Sequence, residues 1–158
     1  MSEIALRPLR GGDRKTVLDV FEGLSVRSRY LRFLGAKPRL NERDLALLVD
    51  VGCCGHEAVV AVDQETGRSV GIARFVRDAD APEAEIAFEV VDEWHGHGIG
   101  RRLVHELATL ARSQGILRLR ASVDRSNAAA LALVRGLGDV LATRSEGSVV
   151  ELVVRLAD

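Results

Sequence analysis

Trp94-His95-Gly96-His97-Gly98-Ile99-Gly100-Arg101-Arg102-Leu103 is the most informative segment of the chain, because one element ends in it and another begins. Three glycines at alternate positions follow a β-type run and precede the apolar periodicity of an amphipathic helix. Glycine lets the backbone approach a ligand closely, and the unpaired N–H groups and dipole of the following helix attract an anion. The sequence therefore predicts a phosphate-binding turn. Its predicted members are His95, Gly96, His97, Gly98, Ile99, Gly100, Arg101 and Arg102.

The composition is that of a single globular domain spanning residues 1–158. A chain of this length buries about two-thirds of the surface that its unfolded form exposes, and 47% of its residues are hydrophobic. The formal net charge of −1 argues against a nucleic-acid partner, because such domains are usually clearly basic. No apolar run approaches the roughly 20 residues that span a bilayer, so we expect no membrane partner.

Two local features predict a cytoplasmic protein. The N-terminus lacks the basic segment and long apolar run of a signal peptide. Cys53 and Cys54 are sequence neighbours, and a disulfide between them would be strained, so free thiols in a reducing compartment are expected.

Apolar periodicity and turn residues predict the element order β-α-α-α-β-β-β-α-β-α-β-β. The predicted fold is α/β (α+β), with a mixed, mostly antiparallel sheet of about seven strands flanked by helices. A helix between strands four and five makes that pair parallel, and we expect the sheet to splay there. The predicted strands are Ile4–Pro8, Glu57–Asp63, Ser69–Val76, Glu83–Val91, Leu117–Val123, Val140–Thr143 and Val149–Leu156. The predicted helices run from Asp13 to about Leu24, over Ser25–Leu34, from Asn41, from the glycine turn to Gly115, and over Asn127–Arg135.

The glycine turn resembles the central motif of the GNAT superfamily of acetyl-CoA-dependent N-acetyltransferases, Arg/Gln-x-x-Gly-x-Gly/Ala. Gly98 and Gly100 match its two small positions, whereas His95 occupies the Arg/Gln position. The resemblance covers nearly the whole chain in element order and is strongest over residues 84–138. It implies acetyl-CoA as co-substrate, with its pyrophosphate held mostly by backbone N–H groups.

Further positions extend the resemblance. Asn127 begins an Asn-x-x-Ala-x-x-Leu run, as does the family's asparagine that contacts the pantetheine arm. The family often places a Tyr general acid seven residues later, where this chain has Val134. The resemblance also implies that a backbone N–H at Val90 or Val91 stabilises the oxyanion.

Two segments are similar to the bacterial protein-lysine acetyltransferases, the Pat-like group. Ser28–Leu34 resembles their "S-x-x-x-R-F" helix, and Ala84–Asp92 resembles their strand before the glycine turn. The Glu of that strand is their proposed general base, and it maps onto Glu85. We also expect the helix to border the acceptor cleft, with its arginines off the apolar stripe of Val26, Tyr30, Phe33 and Leu34.

The chemistry supports a carboxylate at this position. A lysine-type amine with a pKa of about 10.4 must lose a proton before it attacks a thioester, and a partly desolvated carboxylate can take it. Period-two alternation places Glu83, Glu85 and Glu89 on one face of the strand. The alternative for each is an ion pair with Arg74 or Arg77 on the preceding strand, or simple exposure.

Other ligand classes lack their motifs. His95 and His97 have no companions at zinc-site spacing, so no metal is expected. The nucleoside-triphosphate and dinucleotide fingerprints are missing as well. We therefore predict an acyltransferase that moves acetyl from acetyl-CoA to a primary amine, with a protein lysine as the favoured acceptor. The alternatives are a small-molecule amine acetyltransferase and a non-catalytic acyl-CoA sensor, and the C-terminal edge strands could pair in a homodimer.

Overall fold

A computed structural model describes residues 3–52 and 55–157 of the chain. The predictions for Cys53 and Cys54 lie outside the described residues. Seven strands form one sheet in the order β1-β2-β3-β4-β5-β7-β6. The strands are Ile4–Pro8 (β1), His56–Asp63 (β2), Ser69–Arg77 (β3), Glu83–Val90 (β4), Arg118–Asp124 (β5), Gly138–Glu146 (β6) and Val149–Leu156 (β7). The helices are Arg14–Glu22 (α1), Val26–Phe33 (α2), Glu42–Leu48 (α3), Ile99–Ser113 (α4) and Ala128–Arg135 (α5).

The predicted element order and fold class are confirmed. All neighbouring strands are antiparallel except β4 and β5, which are parallel and share only three register pairs. The last of these pairs joins Glu85 to Arg120, after which the two strands diverge. The splay predicted between strands four and five therefore begins in the middle of β4.

The core lies mainly between the sheet and α4. The helix buries a stripe that includes Leu103 and Leu107, both fully buried. Gly71 of β3 permits a close approach, because a Cβ at this position would lie 2.9 Å from the Leu103 Cδ1 atom. This packing fixes the N-terminus of α4 against the end of β4. None of the described helices is long and apolar enough to cross a membrane.

Helix α2 differs from the amphipathic helix that the sequence predicts. None of its residues is buried, and Val26, at the start of the predicted apolar stripe, is 86% exposed. The arginines make the contacts instead: the Arg29 guanidinium lies 4.0 Å from the centre of the Phe21 ring and donates to the Phe21 and Pro38 carbonyls. Guanidinium groups that stack on rings and bind carbonyls therefore add to the apolar contact of the half-buried Phe33, whose ring meets Phe21 edge-on at 6.0 Å.

The C-terminal hairpin also differs from expectation, because β6 spans Gly138–Glu146 rather than Val140–Thr143. The extra residues are held by backbone pairing with β7, which continues to Glu146 opposite Val149. Because β6 is an exposed edge strand, its polar residues carry no alternation of hydrophobicity from which its length could be predicted.

Candidate active site

The glycine turn joins β4 to α4 through backbone conformations that favour glycine. A single 3-10 turn, Asp92–Trp94, follows β4, and Gly96 and Gly98 then adopt φ values of +79° and +76°. Gly98 is the N-cap of α4 and provides no side-chain cap. The N–H groups of the first helical turn therefore lack intrahelical acceptors and are free to bind an anion.

Two histidines brace this turn from within. The His95 Nε2 atom lies 2.8 Å from the Val90 carbonyl oxygen, and the His97 Nδ1 atom lies 3.0 Å from the His95 carbonyl oxygen. Because a carbonyl only accepts, each of these ring nitrogens carries a proton. Among the described residues, no group of three or more His, Cys, Asp and Glu side chains could hold a metal ion.

A cavity of about 500 Å³ opens where β4 and β5 diverge. Its walls come from the second half of β4, the glycine turn, β5, and helices α2 and α5. The residues of the predicted site that line it are Val90, His95, Gly96, Gly98, Ile99, Gly100, Arg101 and Asn127. The opening of the sheet thus joins the upstream and downstream motifs in one cleft.

The remaining predicted members of the turn lie outside the cavity lining. Arg102 donates from Nη1 to the Ile4 carbonyl at 3.1 Å and so anchors α4 to β1. His97 packs against the Trp94 ring, with 5.3 Å between ring centroids. Of the two arginines at the start of α4, Arg101 alone is in a position to add charge to a ligand in the cleft.

Asn127 has one side of its amide group engaged in the fold. Its side-chain oxygen caps α5 by accepting from the Ala130 N–H at 3.2 Å. The Nδ2 group has no hydrogen-bond partner within residues 3–52 and 55–157, and Asn127 lines the cavity. A carbonyl of a bound ligand can therefore be its acceptor.

The two candidate oxyanion donors differ in availability. The Val91 N–H donates to the Val70 carbonyl at 2.9 Å, so it is occupied by the sheet. Adjacent residues of an antiparallel strand direct their N–H groups to opposite sides. The Val90 N–H therefore points away from β3, toward the gap that opens beside β5.

The three glutamates of β4 lie in different surroundings. Glu83 accepts from Arg120 Nη1 at 2.8 Å, and Glu85 accepts from Arg120 Nη2 at 3.1 Å. The ion-pair partners are therefore on β5, and not Arg74 or Arg77 as the alternative supposed. Glu85 is half-exposed and lies outside the cavity lining, but the next two residues of the strand, Ile86 and Ala87, both line it.

Glu89 is the β4 carboxylate that lines the cavity. It forms an ion pair with Arg32 of α2, in which both side chains are nearly buried. The alternation of β4 predicts the face on which Glu89 lies but not its partner. The sequence around Arg32 gives no indication of the pair, because the pairing depends on how α2 crosses the end of β4.

Helix α5 presents only apolar side chains to the cavity. Ala129, Ala130 and Leu133 line it, whereas Val134 is fully buried in the core. The hydroxyl groups at the cavity are those of Ser28 and Ser122, and Ser122 also borders a second cavity of about 310 Å³ beside β6 and β7. Ser28 is the first residue of the S-x-x-x-R-F segment, whereas Ser122 was not identified from the sequence.

Comparisons with known proteins agree with this geometry. The family model described as the acetyltransferase (GNAT) family matches residues 26–139. An acetyltransferase of Pseudomonas aeruginosa is 30% identical over 156 residues, which are 98% of this chain and 83% of that protein. The acetyltransferase Pat of Mycolicibacterium smegmatis is 32% identical over 136 residues, 85% of this chain but only 40% of that protein.

Among solved structures, the GNAT domain of S. lividans PAT is similar to the chain over almost its whole length. The TM-score is 0.84 at 28% sequence identity, and the match covers 96% of this chain and 89% of that one. This likeness agrees with the fold observed in the structure.

Proposed function

The chain belongs to the acetyltransferase (GNAT) family and is an acyltransferase, and from this premise we propose that it transfers acetyl from acetyl-CoA to a primary amine, with a protein lysine as the favoured acceptor. The observation that carries the proposal is the cleft between β4 and β5. It joins a turn with unpaired helix N–H groups to a strand end with a free N–H. The likeness to Pat proteins supports lysine as the acceptor.

The glycine turn is proposed to hold the pyrophosphate of acetyl-CoA. The first N–H groups of α4 would donate to the phosphate oxygens, and Arg101 would add a positive charge. Asn127 Nδ2 would donate to a pantetheine carbonyl on the opposite wall. No metal is needed for this arrangement, because backbone dipoles and one guanidinium supply the positive field.

The transfer is proposed to occur by direct attack within a ternary complex. The acceptor nitrogen forms a bond to the thioester carbonyl carbon while Glu85 takes the nitrogen's proton, directly or through a water. The Val90 N–H donates to the oxygen on which negative charge develops. The carbon–sulfur bond then breaks, the CoA thiolate takes a proton from the solvent, Glu85 returns the amine's proton to the solvent, and the products are an acetamide and CoA.

Initial-rate kinetics test this mechanism with a panel of lysine-rich proteins and a library of small amines as acceptors. A ternary complex gives intersecting double-reciprocal plots, whereas a covalent acetyl-enzyme gives parallel ones. Acetyl-CoA binding without acceptor-dependent CoA release across both panels would instead favour an acyl-CoA sensor. The observation that favours the sensor as a second candidate function is the apolar surface of α5 that lines the cavity.

A further inference from the structure

A cluster of three charged side chains, two of which line the cavity, is not used by the proposed mechanism. Arg32 of α2 donates through Nε to Glu89 Oε2, and both residues line the cavity. Their side chains are 12% and 11% exposed. The third member is Arg74 of β3, which is 4% exposed and pairs in register with Ala87, two residues before Glu89.

Arg74 is incompletely satisfied. Its Nη1 group donates to the Leu48 carbonyl at 2.8 Å and lies 3.2 Å from His56 Nε2, which must accept because a guanidinium only donates. Its Nε and Nη2 groups are buried without a partner among the described residues. Burial lowers the pKa of Arg74 to about 10, so the group stays protonated at neutral pH.

The cluster carries an excess of positive charge. Burial, together with the charge of Arg74, lowers the pKa of His56, so this histidine is neutral at pH 7. The charged groups that act on Arg74 are Glu89 and Arg32, whereas the exposed Asp50 acts on the neighbouring His56. Among the three nearly buried side chains of the cluster, one carboxylate therefore faces two guanidinium groups.

A buried net charge is unfavourable unless a counter-ion neutralises it. The Arg32 Nη groups make no hydrogen bond within the described part of the chain, and the guanidinium stacks on the Phe33 ring at 4.6 Å. The Nη1 and Nη2 groups form one unused edge of this planar guanidinium, and such an edge matches the geometry of a carboxylate. The phosphates of acetyl-CoA have their own donors at the glycine turn.

We propose that Arg32, backed by Arg74, binds a carboxylate that the acceptor carries close to its reacting amine. This inference rests on the proposed function, and it names the class of acceptor. The opposite arrangement, in which Glu89 binds the acceptor's ammonium group, would add a second positive charge to a cluster that already has an excess. The two arrangements therefore predict opposite preferences: the first favours a negatively charged ligand at this end of the cleft, and the second favours a positively charged one.

Three CoA thioethers of matched length measure this preference without any transfer reaction. They are S-(3-carboxypropyl)-CoA, its neutral amide, and S-(3-aminopropyl)-CoA, with titration calorimetry at pH 7 as the measurement. We expect the carboxylate compound to bind about tenfold more tightly than the amide, as for a charge-assisted hydrogen bond, and the ammonium compound to bind most weakly.

Single substitutions identify the residues that cause the preference for the carboxylate compound. Arg32→Gln should abolish it, Arg32→Lys should keep part of it, and Glu89→Gln should increase it because the carboxylate that competes for Arg32 is gone. Arg43→Gln, on the exposed surface of α3, is the matched control and should leave it unchanged. Thermal melting of each variant identifies one that is unfolded, and the wild-type comparison stands without the variants.

Equal binding of the three compounds, or preference for the ammonium compound, would overturn the inference. Loss of the carboxylate preference in Glu89→Gln would overturn it as well. Failure of acetyl-CoA and of every thioether to bind would instead count against the proposed function of the cleft.

Two further arms locate the source of the carboxylate. CoA release is compared between lysine and lysine amide, and between the blocked peptides Asp-Lys and Asn-Lys. Preference for lysine over its amide indicates a free amino acid, and preference for Asp-Lys indicates an acidic neighbour of a protein lysine. No preference in either pair contradicts the proposal.

Discussion

Arg120 lies directly across the parallel ladder from Glu85, and its Nη2 group donates to Glu85 Oε2 at 3.1 Å at the last point where β4 and β5 still pair. The hydrogen bond from Arg120 to Glu85, helped by the nearby Glu83, raises the pKa of Arg120 even though partial burial opposes it. This contact holds the Glu85 side chain at the mouth of the gap. Its position is suited to exchange protons with a group that enters from this side of the sheet.

Replacing Glu85 by Gln should lower the turnover number by about 10²- to 10⁴-fold, the usual contribution of a general base. The acetyl-CoA dissociation constant should change little, because Glu85 lies outside the cavity that would hold the donor. A thiol-release assay with an established acceptor measures the first quantity, and calorimetry measures the second.

Glu83→Gln is the matched control, since Glu83 shares the Arg120 partner on the same face but lies further from the cavity. It should retain most of the turnover. Unchanged turnover in Glu85→Gln would remove this residue from the mechanism. Equal losses in both variants would mean that the ion-pair cluster has only a structural role.

Gly98 should be required for acetyl-CoA binding for a reason other than its backbone conformation. Gly98 and Gly67 both have a φ of +76°, and a Cβ on either would meet no atom of the protein within 4 Å. Alanine at either position should therefore cost about 1 to 2 kcal/mol of unfolding free energy. Only Gly98→Ala should weaken acetyl-CoA binding, because its Cβ would project where the phosphate is proposed to lie. Equal acetyl-CoA affinity in the two variants would contradict this placement.

His95 should act mainly by holding the Val90 carbonyl. Its side chain replaces the Arg/Gln of the family motif, and a glutamine amide can make the same donation. His95→Gln should keep acetyl-CoA affinity close to that of the wild type. His95→Ala should weaken it about fivefold, the effect of one net hydrogen bond. A large loss in both variants would show that the imidazole itself contacts the ligand.

Asp13 should stabilise the fold in a pH-dependent way. Hydrogen bonds from Thr16, first from its hydroxyl and then from its N–H, lower the pKa of Asp13, and burial opposes them only in part. Its contribution is therefore fully present above the unfolded pKa of about 3.9 and is lost as the pH falls through the lower folded value. Asp13→Ala should cost about 1 kcal/mol at pH 7, the usual worth of an N-cap.

Urea unfolding of the wild type and Asp13→Ala at a series of pH values measures this difference. It should stay constant from pH 7 to about pH 5 and shrink below about pH 4. A difference that grows as the pH falls would contradict the role given to the Asp13 carboxylate.

The sequence and the structure agree best where backbone chemistry and periodicity determine the result. The glycine turn, α4 and β7 follow from glycine spacing and apolar repeats, and the predicted splay begins after Glu85 as a consequence of the β4–α4–β5 crossover. These features depend on local sequence patterns and on the crossover connection between strands, and both can be identified in a single sequence.

Helix α2 and the ion pairs of β4 were beyond such rules. The apolar period of α2 suggested that Val26 faces inward, whereas Arg29, Arg32 and Phe33 make inward contacts. The partners of Glu85 and Glu89 are on β5 and α2, at separations of 35 and 57 residues. Such pairings depend on tertiary placement, and the alternation of a strand predicts only the face.

The most direct test of the account is mass spectrometry of an acceptor after reaction with isotope-labelled acetyl-CoA and the protein. We expect the label on an amine nitrogen of a lysine-bearing acceptor, an equal amount of released CoA, and no labelled protein intermediate. Tight acetyl-CoA binding with no label on any lysine or small amine would contradict the central claim that this cleft delivers an acetyl group to an amine.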